Sequence, residues 1–177
     1  MRKRILIGVP VGLILFLLVV AMLPGDFRIQ RSIIVDTDME HAFQQANDFH
    51  KSNIWNPWMN FDPKIKITYE GPTAGVGATT TWEGNTEVGA GKMTIEYSTP
   101  NALVRIQEQY TKPFKAMSTH EFTFRPQGGG TAVNWVIAGK MPFVPKVVNV
   151  FVGINRMVGS GMEKGLAQLK QIVEKSL

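Results

Sequence analysis

The stretch from Lys64 to Gly139 is a series of short segments in which apolar and polar residues alternate, and this most constrains the fold. The alternating segments are 65–70, 78–84, 91–98, 103–110, 115–125 and 131–139. Turn residues separate them, as in Gly71-Pro72 and Pro100-Asn101. Hairpin spacing of this kind predicts an antiparallel meander of strands.

A long amphipathic helix is predicted at Asn155 to Lys175. Its apolar stripe recurs at intervals of three and four residues, through Val158, Met162, Leu166, Leu169 and Val173. Glycines at positions 159, 161 and 165 interrupt it. Each costs about 1 kcal/mol relative to alanine. Their presence predicts close packing, or open space, above that side of the helix.

The segment that precedes the meander predicts a strand followed by short helices. Residues 27–35 alternate as a first strand. Thr37 and Glu40 have the spacing of a capping box, which predicts that a short helix begins after Thr37. In the next stretch, SNIWNPWMNFDP at 52–63, Pro57 and Pro63 leave room for only a turn or two of helix.

The N-terminus combines a basic cap with an apolar run. Residues 5–23 are nineteen residues without a charge, after Arg2, Lys3 and Arg4. As a helix this run is about 28 Å long, close to the hydrocarbon thickness of a bilayer. A cleaved signal peptide has a shorter apolar region and a small-residue cleavage site. We therefore predict an uncleaved transmembrane anchor and tether at 1–26 and one folded domain at 27–177.

The flanking charges predict an orientation for this anchor. The excess of basic residues before the run predicts a cytoplasmic N-terminus and an extracytoplasmic C-terminal domain, in the inner membrane of a cell with two membranes. The net charge of +5 owes three positive charges to residues 2–4, and 16 basic against 14 acidic residues remain. No basic cluster follows, so we expect no nucleic-acid partner. The lack of cysteine excludes disulfides and thiol catalysis.

Several short motifs occur in order between Phe27 and the end of the chain. They are Val35-Asp36-Thr37 with Phe43, Trp55-Asn56-Pro57-Trp58, Gly71-Pro72 with Gly75-Val76-Gly77-Ala78, Trp82-Glu83-Gly84, Gly89-Ala90-Gly91-Lys92-Met93, Lys112-Pro113-Phe114, Phe122-Thr123-Phe124 and Gly129-Gly130-Thr131-Ala132-Val133-Asn134-Trp135. With the element order, they resemble the SRPBCC or START-like helix-grip superfamily. The closest group is similar to the bacterial polyketide cyclase/dehydrase and lipid-transport-like proteins, some of which also have an N-terminal membrane helix.

The resemblance implies an α+β fold. In it, a curved antiparallel sheet of about seven strands wraps around the long C-terminal helix, with an apolar cavity between them. Members of the superfamily bind lipids, sterols, polyketides or other hydrophobic molecules, and some catalyse cyclisation. The resemblance thus implies a hydrophobic or lipid-like partner, but the fold alone does not choose among these activities.

Glu108 and His120 are the polar residues on which chemistry could depend. Alternation places Glu108 on the same strand face as Ile106 and Tyr110. If Ile106 lies opposite His120, then Glu108 lies opposite Ser118 and diagonal to His120. Inside an apolar cavity both groups would have a perturbed pKa, as acid/base catalysts do. The alternative is a hydrated or hydrogen-bonded polar pair near the cavity mouth.

Further side chains are candidates for the cavity lining. Together with Glu108, Ser118 and His120, the predicted ligand-binding set contains Trp55, Trp58, Trp82, Tyr97, Phe122 and Met162. The resemblance places 52–63 at the wide end of the cavity. We expect one of Trp55 and Trp58 to pack into the core and the other to border the mouth. Ordinary core packing is the alternative for each aromatic or methionine.

Other sequence signals point away from nucleotide, metal and hydrolase sites. Gly84 to Met93 lacks the glycine and the Ser/Thr that a phosphate loop requires, and it lies between strands. The three histidines are scattered, and no nucleophile-elbow motif occurs. We predict neither a metal nor a cofactor.

Three functions remain compatible with the sequence. The first is a membrane-anchored module that binds a hydrophobic or lipid-like molecule, and we favour it because few catalytic groups are present. The second is a cyclase/dehydratase-like enzyme that uses His120 and Glu108 as acid/base groups. The third is a non-catalytic interaction protein that uses its outer sheet surface or its membrane helix.

Overall fold

The computed structural model describes residues 2–175, with side chains from Pro10 onward. Five α-helices lie in the described part of the chain, at α1 (Arg2–Met22), α2 (Met39–Asn47), α3 (Phe49–Trp55), α4 (Phe143–Val152) and α5 (Ile154–Lys175). A 3₁₀ helix spans Pro57–Phe61. The strands are β1 (Asp26–Val35), β2 (Lys66–Glu70), β3 (Thr79–Glu83), β4 (Ala90–Thr99), β5 (Leu103–Lys112), β6 (Ala116–Gln127) and β7 (Gly130–Lys140).

The strands form one antiparallel sheet. Their order is β1-β7-β6-β5-β4-β3-β2, so β2 to β7 form a meander and β1 pairs with the last strand. Each predicted strand agrees with an observed one to within a few residues. The prediction of an α+β fold with a curved seven-stranded antiparallel sheet and a long C-terminal helix is confirmed.

The apolar stripe of α5 packs against the sheet. Met162, Leu166, Leu169 and Val173 are fully or almost fully buried. Two glycines of α5 allow large side chains to approach its backbone. A Cβ atom on Gly161 would lie 2.8 Å from the Trp58 ring, and one on Gly165 would lie 3.0 Å from Pro57. Close packing is therefore the physical reason for these glycines.

The start of α2 differs from the prediction. The N-cap is Asp38, whose carboxylate accepts a hydrogen bond of 2.7 Å from the backbone N–H of His41. Thr37 is instead buried, and its carbonyl accepts a hydrogen bond from the Thr131 hydroxyl. The capping box predicted at Thr37 is therefore wrong by one residue, because tertiary contacts with β7 hold Thr37 in the preceding turn.

Helix α4 was not predicted. Its sequence, FVPKVVNVFV, is short and mostly apolar, with polar residues only at Lys146 and Asn149, so its pattern alone does not distinguish a helix from a strand. Pro145 lies in its first turn, where proline is tolerated. None of its side chains is fully buried.

Helix α1 covers most of the apolar run, and it contacts α4 through the rings of Phe16 and Phe151. Among residues 10–175, no helix is both long enough and apolar enough to cross a lipid bilayer. The predicted transmembrane helix is thus without support from the structure. Its first residues, 5–9, lie outside the side chains that the structure describes.

Candidate functional site

A cavity of about 190 Å³ lies between the sheet and the α4–α5 region. Its apolar walls come from β1, the 3₁₀ helix, β7 and both C-terminal helices, and they include Phe27, Trp58, Ile137, Met141, Pro145 and Val158. One wall is polar, since β5 contributes Glu108 and Tyr110, and β6 contributes Ser118 and His120. The site is thus an apolar space with one cluster of hydrogen-bonding groups.

Three residues of this cluster share one carboxylate oxygen. Oε2 of Glu108 accepts a hydrogen bond of 2.5 Å from Oγ of Ser118 and lies 3.0 Å from Nε2 of His120. Glu108 is 5 % exposed and His120 is 4 % exposed. A buried carboxylate is costly unless it is paired and hydrogen-bonded, and both conditions hold here.

Strand register brings these side chains together. In the β5–β6 pair Ile106 lies opposite His120, and Glu108 lies opposite Ser118. This confirms the predicted register. Because side chains of like parity share one face of a strand, the polar groups point into the cavity together with Tyr110. The diagonal position of His120 lets its ring reach the carboxylate.

Two pKa values in the cluster are displaced. Burial alone would raise the pKa of Glu108, but the His120 charge and hydrogen bonds from His120, Ser118 and Tyr110 together hold it below its ordinary value. For Tyr110, burial first and the Glu108 charge second raise the pKa well above its ordinary value. The arrangement thus favours an ionised carboxylate beside a neutral phenol.

The imidazole of His120 has a second nitrogen that the cluster does not use. Nε2 faces Glu108, and Nδ1 has no hydrogen-bond partner within residues 10–175. Nδ1 is not among the buried atoms that lack a partner, so it is accessible, and the ring lines the cavity. This nitrogen is therefore placed to meet a polar group of a bound molecule.

The two tryptophans of the 52–63 stretch lie in different surroundings, as their spacing predicted. Trp55 is 2 % exposed and donates a hydrogen bond from Nε1 to the carbonyl of Gln45. Trp58 lines the cavity, and its ring packs edge-on against Trp135, with 5.8 Å between ring centroids. Trp55 thus belongs to the core and Trp58 to the site.

Four other residues predicted to line the cavity lie elsewhere. Phe122 and Met162 are buried in the core, where Phe122 stacks on Trp135. Trp82 is buried over Gly91 and contacts the Tyr110 ring edge-on at 5.3 Å, behind the polar wall. Tyr97 is 51 % exposed. A register irregularity lies between Ile95 and Tyr97 in the β4–β5 pair, beside this outward side chain.

Several lining residues were absent from the predicted set. Tyr110 could have been predicted, because residues two apart on a strand share one face and this places it beside Glu108. Met141, Pro142 and Pro145 belong to the segment around α4, which was not predicted from the sequence. Within residues 2–175, no group of three or more His, Asp or Glu side chains is arranged to hold a metal ion.

Comparison with known families agrees with this geometry. A family described as "Polyketide cyclase / dehydrase and lipid transport" matches residues 26–174, which include all seven strands and all but the end of α5. The chain belongs to this family. Among curated proteins, none matches the chain. The family description includes both ligand transport and catalysis, so the cavity itself must decide between them.

Solved structures of distant sequences share the fold. Protein MLL2253 from Mesorhizobium loti has a TM-score of 0.61 at 16% identity, over 85% of this chain and 99% of its own. Protein CV1439 from Chromobacterium violaceum has a TM-score of 0.59 at 15% identity, over 86% and 99%. A protein from Rhizobium leguminosarum has a TM-score of 0.60 at 13% identity, over 85% and 95%. At these identities the likeness concerns the fold alone.

Proposed function

We propose that the chain is a binding module that holds a small hydrophobic molecule in the cavity, with one polar group of that molecule against Glu108, Ser118 and His120. The observation that carries the proposal is the grouping of these polar side chains on one wall of an otherwise apolar cavity. Ligand sites of this kind combine apolar lining with a few convergent polar groups.

The volume of the cavity favours a small or slender ligand. The cavity of about 190 Å³ is below the roughly 300–1,000 Å³ that is typical of sites for drug-sized molecules. A second apolar pocket of about 200 Å³ adjoins it and shares Met141 and Pro145. A longer apolar chain would therefore have a continuous apolar path from the polar wall toward the surface.

A hydroxyl is the ligand group that suits the polar wall best. The ionised Glu108 only accepts hydrogen bonds, whereas Nδ1 of His120 accepts or donates according to its protonation. A hydroxyl can do both, so it satisfies the imidazole in either state. The favoured ligand class is therefore an apolar molecule with one hydroxyl group.

Titration with a fluorescent fatty alcohol tests this proposal. The wild type should bind the probe, and Glu108→Gln should weaken binding roughly tenfold or more, since a hydrogen bond to a charged group contributes about 1.5–3 kcal/mol. Tyr97→Phe, on the outer surface, is the matched control and should bind as the wild type does. Equal affinity of wild type and Glu108→Gln would contradict the assigned polar contact.

The His120–Glu108 pair also favours a second candidate, a cyclase/dehydratase-like enzyme. With Glu108 orienting Nε2, Nδ1 of His120 could take a proton from a molecule in the cavity, which is the arrangement of a general base. Under this candidate His120→Gln abolishes turnover of a polyketide-like substrate yet retains binding. Binding without turnover in the wild type, together with loss of binding in His120→Gln, would favour the binding module.

The location of the domain is also a proposal, and it is supported by the sequence alone. The basic residues 2–4 and the uncharged run 5–23 favour a single-pass anchor with an extracytoplasmic domain. Protease added to intact spheroplasts should degrade the C-terminal domain. Protection of the domain until the cells are lysed would contradict this location.

A further inference from the structure

A continuous apolar surface surrounds the mouth of the cavity. It is formed by Phe114, Val144, Val148, Phe151, Val152 and Met157, which we call the α4 face. Their exposed fractions range from 42% to 75%, with Phe151 the most exposed. Five of them line the second apolar pocket, and this pocket shares Met141 and Pro145 with the cavity. The mouth therefore opens within an apolar surface.

Helix α4 is more apolar than an ordinary surface helix, since Lys146 and Asn149 are its only polar residues. Its only charged residue is Lys146, and none of its side chains is fully buried. Single exposed apolar residues are common, but contiguous apolar patches at this density mark a surface that contacts something apolar. The α4 face is therefore suited to contact with an apolar partner.

The charges around the α4 face indicate what that partner is. From Phe122 to Met162 the sequence contains no Asp or Glu. Lys115, Lys140 and Arg156 are exposed near the face, and none forms an ion pair within residues 10–175, although Asp26 lies opposite Lys140 in the β1–β7 register. Lys115 and Lys140 line one groove beside the cavity mouth. Apolar side chains flanked by unpaired basic residues are typical of a helix that lies at the surface of an anionic bilayer.

We propose that the α4 face docks on an anionic lipid surface, with Val148 and Phe151 entering the apolar boundary and Lys115, Lys140 and Arg156 contacting lipid headgroups. A second copy of the chain is a poorer occupant, because pairing two α4 faces would bring their unpaired basic residues together. Anionic headgroups neutralise these charges instead.

The end of α1 is held against this surface. The ammonium of Lys146 donates hydrogen bonds to the carbonyls of Ala21 and Leu23, at 3.1 and 2.6 Å. The rings of Phe16 and Phe151 lie 5.8 Å apart. The apolar N-terminal run and the α4 face therefore lie side by side. The inference goes beyond the proposed anchor, since α4 itself is the contact, and it does not require the cavity to bind a ligand.

Site-specific labelling of the full chain can test the docking directly. Because the chain has no cysteine, Val148→Cys and Phe151→Cys each accept a single environment-sensitive fluorophore. Ile54→Cys is the matched control, since Ile54 is an exposed apolar residue on α3, an element that takes no part in the α4 face. Vesicles of phosphatidylcholine, with and without phosphatidylglycerol, carry quenchers attached to the acyl chains.

Labels at positions 148 and 151 should shift to shorter emission wavelengths and be quenched on vesicles that contain phosphatidylglycerol, whereas the label at position 54 should not. Replacing Lys115, Lys140 and Arg156 with glutamine should lower the affinity for these vesicles, measured from the spectral shift, roughly fivefold for each residue replaced. Vesicle-bound protein with unquenched labels at 148 and 151 would overturn the inference, because α1 alone would then make the contact. An emission shift of these labels that grows with protein concentration in the absence of vesicles would also overturn it, because a second copy of the chain would then cover the α4 face.

Discussion

Oε2 of Glu108 lies 3.0 Å from Nε2 of His120, and both side chains are buried on one wall of the cavity. The two residues lie on neighbouring strands, one diagonal step apart. Ser118, directly opposite Glu108, donates to the same oxygen and fixes the carboxylate toward the imidazole. This contact is the centre of the site.

The first prediction concerns acid stability. The pKa of Glu108 lies below its ordinary value of 4.5 in the folded protein, so the unfolded chain binds a proton first as the pH falls. The stabilisation from Glu108 is therefore present above that ordinary value and is lost as the pH falls toward the folded pKa. Urea unfolding between neutral and acid pH should show a smaller loss of stability in Glu108→Gln than in the wild type. Glu87→Gln, on an exposed loop, is the control, and parallel curves for all three proteins would contradict the prediction.

Alkaline pH should reveal the state of Tyr110. The folded pKa is raised well above the ordinary value of 10.0, so the folded protein keeps the phenol proton that the unfolded chain releases. The contribution of Tyr110 to the free energy of unfolding is complete below pH 10 and is lost as the pH rises toward the pKa of Tyr110 in the folded protein. The free energy of unfolding should therefore fall more steeply above pH 10 in the wild type than in Tyr110→Phe. An identical decline in both proteins would show that Tyr110 ionises freely in the folded state.

Gly161→Ala should disturb the cavity although alanine favours a helix. A Cβ at this position would lie 2.8 Å from Cζ2 of Trp58, so the ring must move. Overpacking should cost about 1–3 kcal/mol and the better helix propensity of alanine should return about 1 kcal/mol, so we expect a net loss of stability of up to about 2 kcal/mol. Ser160→Ala, on the exposed side of α5, is the control.

A double-mutant cycle isolates the contact between Gly161 and Trp58. If the ring is the obstacle, Gly161→Ala should cost less in a Trp58→Ala background, with a coupling of about 0.5–3 kcal/mol. Chemical denaturation of the four proteins gives this value. Additive free energies would show that the cost of Gly161→Ala has another origin.

Asp38→Ala tests the corrected helix cap. Removing the carboxylate that accepts from the N–H of His41 should lower the free energy of unfolding by about 0.5–2 kcal/mol. Asp38→Asn keeps a capping oxygen and should retain most of the stability. Equal losses in both variants would mean that the negative charge, and not the cap geometry, stabilises α2.

The sequence predicted the polar wall because strand parity and hairpin register are local properties. Alternation placed Glu108 inward, and the hairpin register with Ile106 opposite His120, given as a condition, put Glu108 opposite Ser118. Tyr97 was predicted to line the cavity but lies on the outside, beside a register shift in β4. A bulge arises from how a strand pairs with its neighbour. The alternation of residues within one strand carries no information about that pairing.

Tertiary packing decided the remaining differences. Trp82 was a reasonable cavity candidate, but Gly91 on the neighbouring strand allows its ring to lie flat behind the wall. Helix α4 is a mostly apolar segment of ten residues whose pattern does not distinguish a helix from a strand, so its contribution to the cavity mouth was not predictable from the pattern. Thr37 and Asp38 are both good capping residues, and only the contact between Thr37 and Thr131 distinguishes them.

Mass spectrometry of the molecule that co-purifies with the chain tests the central claim most directly. The wild type should be compared with Ala116→Trp, in which a large ring fills the cavity from its wall. We expect a hydroxyl-bearing apolar molecule that is enriched in the wild type and depleted in both Ala116→Trp and Glu108→Gln. The same molecules in equal amounts in all three proteins would contradict the claim that this cavity binds a hydrophobic ligand.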